Sequence, residues 1–199
     1  MLETLRHHVP SEAVAYCQML YTQYPFEFRL SSDRRSKSGD YRYLPETESH
    51  RISVNKGLNP YSFLITYVHE VAHLAAFVNH GRKIPPHGKE WKQEFRNLML
   101  PILNPDIFPE NVLKSLARHL KNPKASSYSD QNLVRTLRAH DSIDHELVSL
   151  ESIPAGSEFI LHGKAFQKLE TRRTRAICKL IDSNKKYLVS KITLVDPVS

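Results

Sequence analysis

His69 and His73 stand four residues apart with Glu70 beside the first, in the stretch "HEVAHLAAFVNHGRKIPPHGKEW" that runs from His69 to Trp91. On a helix, residues four apart share one face and lie one turn from each other. That is the placement two imidazoles need to reach one metal ion at about 2.0–2.1 Å. Glu70, next to the first of them, is then in place to take a proton from a water that the metal activates. The stretch holds four of the chain's eleven histidines, His69, His73, His80 and His87. Chance places an HExxH in a His-rich chain of this length only about a few per cent of the time. Without a metal, these would be ordinary core or surface histidines of a helix.

Two candidates exist for a third ligand. His80 follows His73 by seven residues, and a helix rising ~1.5 Å per residue carries it about 10 Å further along. In one continuous helix it cannot share the ion. A turn after Gly81 is needed to bring a ligand back, and "RKIPP" supplies a connection stiffened by two prolines that delivers His87 ahead of the next helix. There the helix dipole favours the neutral imidazole that metal binding requires. His87 is the expected third ligand, and His80 a neighbour or surface residue.

The elements that must hold these residues are readable in outline. "NPYSFLITYVHEVAHLAAFVNHG" (59–81) predicts the strongest helix, with Asn59 as its cap, Pro60 in its first turn and Gly81 past its end. A second helix is predicted in "GKEWKQEFRNLML", where Trp91, Phe95 and Leu98 share a face, before Pro101, Pro105 and Pro109 interrupt it. Upstream, "SEAVAYCQMLYTQ" reads as a helix capped by Ser11, and "FEFRL", "YRYL" and "RISVN" as strands parted by "SKSGD" and "ETESH". Two short helices, 110–121 and 129–140, flank an "NPKASSYS" loop. From "SIPAGSEFILHGKAFQKLE" onward, alternation predicts a small sheet with strands in "EFILHG", "RAICKLID" and "KYLVSKITLV".

The HExxH, the later "PHGKEW" and the gap between them resemble the active-site segment of the SprT-like family of zinc metallopeptidases. The likeness extends upstream through "HRISVNKGLNPYSFLITYV" and spans Ser11 to Leu103. The metzincin pattern fails, with Asn79 where it needs its third histidine. The resemblance implies one Zn²⁺ per chain on His69, His73 and His87, with Glu70 as general base. It implies a zincin-like protease core of helices with a small three-stranded sheet, and with the downstream patterning the expected fold is α+β: that core, then a helical segment and a small β-rich C-terminal module. Domain limits of 1–140 and 141–199 follow, the boundary falling within 141–154. Many members carry a four-cysteine zinc ribbon after the core. This chain has only Cys178 there, so its last module is expected to be a ribbon without its metal or an unrelated β module.

Composition bounds the rest. Among 199 residues, 40% are hydrophobic and 25% charged, with nine tyrosines and eight phenylalanines, too many aromatics for a disordered chain. The start has no basic segment followed by an apolar core, and no apolar run is expected to reach bilayer-spanning length. Cys17 and Cys178 are expected to be buried thiols of a reducing compartment, which gives a cytoplasmic location, at the nucleoid if DNA is bound.

The formal charge of +7 makes a polyanionic partner plausible, and between 162 and 191 nine Lys/Arg face only Glu170 and Asp182. Lys164, Lys168, Arg172, Arg173, Arg175, Lys185 and Lys186 are the candidate nucleic-acid contacts, with Phe166 or Tyr187 to stack on bases. A solvated basic face is the plain alternative. With the resemblance, the expected partners are DNA, single-stranded by preference, and proteins bound to it. The sequence leaves two rival functions: a non-catalytic zinc-containing nucleic-acid-binding or transcription-associated adaptor, and a general cytosolic peptidase. Retention of Glu70 argues against the adaptor, because a structural zinc needs no base beside its ligand.

Overall fold

A computed structural model describes residues 1–32, 37–124, 130–141 and 147–198. Most of the expected "NPKASSYS" loop, Ser36 of the "SKSGD" turn and residues 142–146 of the boundary region lie outside the described residues. The chain divides into two compact units, Met1–Asp141 and Ser142–Ser199.

The first unit is α+β. Its elements are α1 (Leu2–His8), α2 (Val14–Gln23), β1 (Glu27–Ser31), β2 (Gly39–Leu44), β3 (Ser49–Asn55), α3 (Pro60–His80), α4 (Lys89–Met99), α5 (Glu110–Leu120) and α6 (Gln131–Arg138). The sheet has the order β1-β3-β2, with β1 parallel and β2 antiparallel to the central β3.

Helix α3 is the axis of this unit. Asn59 Oδ1 accepts from the Ser62 amide at 2.9 Å, Pro60 fills the first turn, and Gly81, at φ 82°, ends the helix in a conformation open to glycine. Residues from Phe63 to Ala76 are buried with few gaps, as a helix packed on all sides must be. Ile52 and Val54 of β3 and Trp91 and Phe95 of α4 belong to the same core. By length and composition α3 does reach bilayer-spanning size, contrary to the sequence expectation, but 67% of its apolar window is buried in the unit. It is the central core helix.

Two local expectations need correction at the N-terminus. Helix α1 was not anticipated; it places Leu5 in the core and stacks His8 on Phe63 at 4.8 Å. Ser11 does not cap a helix: Ser11–Ala13 forms a 3₁₀ turn after Pro10, with no side-chain cap there or at the start of α2.

The second unit is a six-stranded antiparallel sheet of order β4-β9-β5-β6-β7-β8. Its strands are β4 (Val148–Ser149), β5 (Glu158–Leu161), β6 (Lys164–Thr171), β7 (Arg175–Leu180), β8 (Lys186–Ser190) and β9 (Leu194–Pro197). The single expected strand "KYLVSKITLV" is two strands. Thr193 N bonds Ser190 O at 3.0 Å in a turn, after which β8 pairs with β7 and β9 with β5 and β4. Strand β6, between "EFILHG" and "RAICKLID", was not separated in the sequence. Leu150, Phe159, Phe166, Cys178, Leu180 and Val195 form a core of this unit's own.

Candidate metal centre

The long helix and one tight turn bring three imidazoles together. His69 and His73 project from the middle of α3. After Gly81 the chain doubles back, and Gly88 N donates to Pro85 O at 2.9 Å, closing a β-turn with Pro86 and His87 at its centre. His87 has φ 57°, the left-handed value that the third residue of a type II turn requires and that glycine or asparagine usually supplies. A histidine held there carries a strain of about 1–2 kcal/mol, of the kind found where function fixes a side chain.

His87 Nε2 lies 3.2 Å from Nε2 of His69 and 3.0 Å from Nε2 of His73. Tetrahedral nitrogens at about 2.0–2.1 Å from one zinc are about 3.3 Å apart, so this spacing suits the ion. Among the described residues, these three form the one group of His, Cys, Asp or Glu able to hold a metal. The electrostatics agree. Burial, then the adjacent His87, holds the His73 imidazole down to about 3. Burial, with His73, His87 and His119 behind it, pushes His69 well below its ordinary value, and burial lowers His87 too. All three are neutral donors near pH 7, the form a metal needs.

Trp91 of α4 braces the cluster. Its ring centroid is 4.6 Å from His69, 5.3 Å from His73 and 4.7 Å from His87, and it stacks on Phe95 at 5.1 Å. Sequence periodicity put Trp91 on the core face of α4; its contact with all three imidazoles carried no signal in one dimension. His80 lies elsewhere. Its Nε2 is 3.0 Å from Glu94 Oε1, which also accepts from Asn79 Nδ2 at 3.1 Å, tying the last turn of α3 to α4.

Glu70 is 6% exposed and borders the same cleft as the imidazoles, a cavity of about 390 Å³. Opposite stands β2, whose Gly39, Asp40 and Tyr41 form one wall, while Arg82 and Ile84 of the return loop form another. Tyr41 stacks on His73 with rings 5° from parallel, and its hydroxyl is 3.1 Å from His50 Nδ1. Arg82 sits over the Tyr43 ring at 4.6 Å. Such an arrangement can bind a divalent cation and offer a carboxylate to a water beside it.

The basic candidates lie in the second unit. Lys164, Arg172, Arg173, Arg175, Lys185 and Lys186 are exposed. Lys168 is not, and its assignment as a nucleic-acid contact is corrected: it is 3% exposed, and its ammonium donates to Leu150 O at 2.8 Å and Ile153 O at 2.6 Å. Register explains the difference. Lys168 pairs with Cys178 and turns to the inner face, whereas Lys179 pairs with Gln167 and Lys186 on the outer one. Half-buried Lys179 was missed as a candidate, though its odd-numbered place with Arg175 along β7 carried the signal.

The α+β unit thus presents a long helix with His69 and His73 one turn apart and a turn that returns His87 to them, a group that could hold a metal ion. Residues 14–107 match the model of the SprT-like family, and that match suggests a metalloprotease-like function. No curated protein and no solved structure matches the chain.

Proposed function

We propose that the protein is a zinc-dependent protease acting on DNA-associated proteins, of the kind that clears protein crosslinked to DNA. The observation that carries the hydrolytic reading is the convergence of His69, His73 and His87 Nε2 atoms beside a buried Glu70 carboxylate in one cleft. Zinc on these imidazoles would supply a Lewis acid that polarises the scissile carbonyl and acidifies a water. Glu70 accepts the proton of the attacking water and returns it to the leaving amine nitrogen. Tyr41 and Trp91 hold the imidazoles in orientation through ring contacts. Strand β2 is the edge of its sheet next to the cleft, so an extended peptide laid along it finds backbone partners.

The DNA part rests on the second unit. On its outer face Lys179 and Lys186 stand directly opposite each other, with no acidic partner among the described residues. Like charges so placed disfavour the sheet, and a phosphate backbone relieves them. Arg175 lies on the same face four residues along β7, and Ile177 pairs with Leu188 between these cations. A general peptidase whose basic face meets another polyanion is the second reading, favoured by the absence, among the described residues, of an exposed aromatic on that face: Tyr187 points the other way, edge-on to Phe166 at 5.8 Å.

The test is peptide and protein cleavage with and without single-stranded DNA, for the wild type and Glu70→Gln. Glu70→Gln keeps the shape and removes the base, so zinc content stays at one per chain while cleavage falls by about three or more orders of magnitude. Full activity in that variant sinks the role of Glu70. Cleavage indifferent to DNA at low salt assigns the general peptidase instead.

A further inference from the structure

Strand β2 runs beside α3 in the same direction, and its inward residues meet successive turns of the helix. Tyr43 stacks on Phe77 at 4.8 Å, and Tyr41 stacks on His73 at 6.1 Å. One step back along the same face, at Gly39, the large side chains stop. A Cβ built on Gly39 would lie 2.5 Å from Glu70 Oε1, 2.8 Å from Glu70 Cγ and 2.7 Å from Thr66 Cγ2. Glu70 therefore occupies the volume that a third side chain would take.

The backbone does not ask for glycine here. Gly39 is absent from the residues with positive φ and pairs in regular register with Val54. Glycine in such a strand is otherwise unfavourable, and it marks a close approach by another group. That group is the Glu70 carboxylate, 6% exposed and at the cleft.

We propose that Gly39 is a positioning residue for Glu70: its missing side chain is the recess that holds the carboxylate at the cleft wall. This rests on the reading of Glu70 as the base. It assigns β2 two duties along one face, Tyr41 orienting a metal-binding imidazole and Gly39 making room for the base. A methyl group at Gly39 must push the carboxylate aside, since Oε1 is the mobile end of its chain. A shift near 1 Å at a reacting group lowers turnover by about a hundredfold.

The experiment compares the wild type with Gly39→Ala, Glu70→Gln and the Gly39→Ala/Glu70→Gln pair, reading kcat, KM, zinc content and Tm on the full chain. Gly39→Ala is expected to lower kcat about a hundredfold while KM and zinc content hold. In the Glu70→Gln background the same change adds almost nothing, because two residues acting through one group are not additive. Wild-type kcat in Gly39→Ala, with Glu70→Gln inactive, overturns the role of Gly39 alone. A fully active Glu70→Gln protein overturns the base on which it rests. An equal further loss in the Glu70→Gln background also overturns it, since Gly39 would then act on something else.

Stability gives a readout independent of turnover. Gly39→Ala lowers Tm, and in a Glu70→Ala background that drop shrinks because the carboxylate is gone. An undiminished drop overturns the proposal. Thr66→Ser removes the Cγ2 methyl that would also meet the new Cβ, so Gly39→Ala/Thr66→Ser keeps the comparison usable if Gly39→Ala alone folds poorly. That pair remains impaired in kcat if Glu70 is the group displaced, and recovers wild-type kcat if Thr66 was the whole obstacle, which again overturns it.

Discussion

The two units place their polar chemistry at opposite depths. In the first, the candidate groups are inside: His69 and Glu70 are 9% and 6% exposed, and the imidazoles lean on a buried tryptophan. In the second, the candidate groups are outside, and Lys168, the one buried lysine or arginine among the described residues, is tied to two backbone carbonyls. Depth decides what each group can do. A buried imidazole stays neutral and fixed, ready for a metal; an exposed lysine keeps its charge and its freedom, and gains meaning only when a polyanion arrives. The same residue type can be architecture or contact according to the face it takes.

The sharpest way to break this contrast is at the third ligand. His87→Ala removes one of three neutral donors, and zinc content measured by metal analysis is expected to fall from one per chain to a small fraction. His80→Ala leaves zinc in place, because His80 is bound to Glu94 away from the cluster. A reversal of the two results would exchange their roles. His87→Gly adds a second reading: it loses the metal equally, yet relieves the positive φ, so the metal-free protein is expected to be more stable than metal-free His87→Ala by about 1 kcal/mol in denaturant unfolding.

Lys168 tests depth within the second unit. Lys168→Met keeps an apolar stem of similar length and leaves the Leu150 and Ile153 carbonyls without their donor. The expected loss is about 1–3 kcal/mol, seen in the unfolding of that unit by chemical denaturation, with DNA affinity at fixed salt little changed among molecules that remain folded. Were Lys168 a phosphate contact, the order would be inverted: affinity would fall and stability would hold.

Legibility in the sequence followed the range of the determining interaction. The HExxH face is written at spacing i and i+4 on one helix, and Asn59, Pro60 and Gly81 mark that helix locally. His87 was legible because helix rise alone removed His80. What stayed hidden depended on partners distant in the chain. Nothing near Gly39 says that Glu70, on another element, fills the space above it. Nothing near Lys168 says that pairing with Cys178 turns it inward, and the irregularity between Lys168 and Glu170 further shifts the alternation of β6. The left-handed turn at His87 was obscured for a different reason: its position is one where glycine is the usual sign, and here a histidine took the place of the sign.

The smallest expected effect concerns the outer face of the second unit. Arg175, Lys179 and Lys186 lie on it, and none has an acidic partner among the described residues. If this face tracks single-stranded DNA, log affinity falls linearly with log salt at about −0.7 per phosphate neutralised. Replacing the three with alanine is then expected to make the slope shallower by about 2 and to reduce DNA-stimulated cleavage, in titrations followed by fluorescence anisotropy. Zinc content should not move, and Tm should hold or rise slightly, because the change removes two like charges that face each other across a strand pair. The control is Arg172→Ala. Its guanidinium lies 3.7 Å from Glu170 at the β6–β7 turn, already near an acid, so the slope changes less than for the outer-face residues. An unchanged slope in the triple variant removes DNA from this face and leaves the lysine pair as a solvated edge. The depth contrast between the units would then stand for packing alone, with function confined to the first.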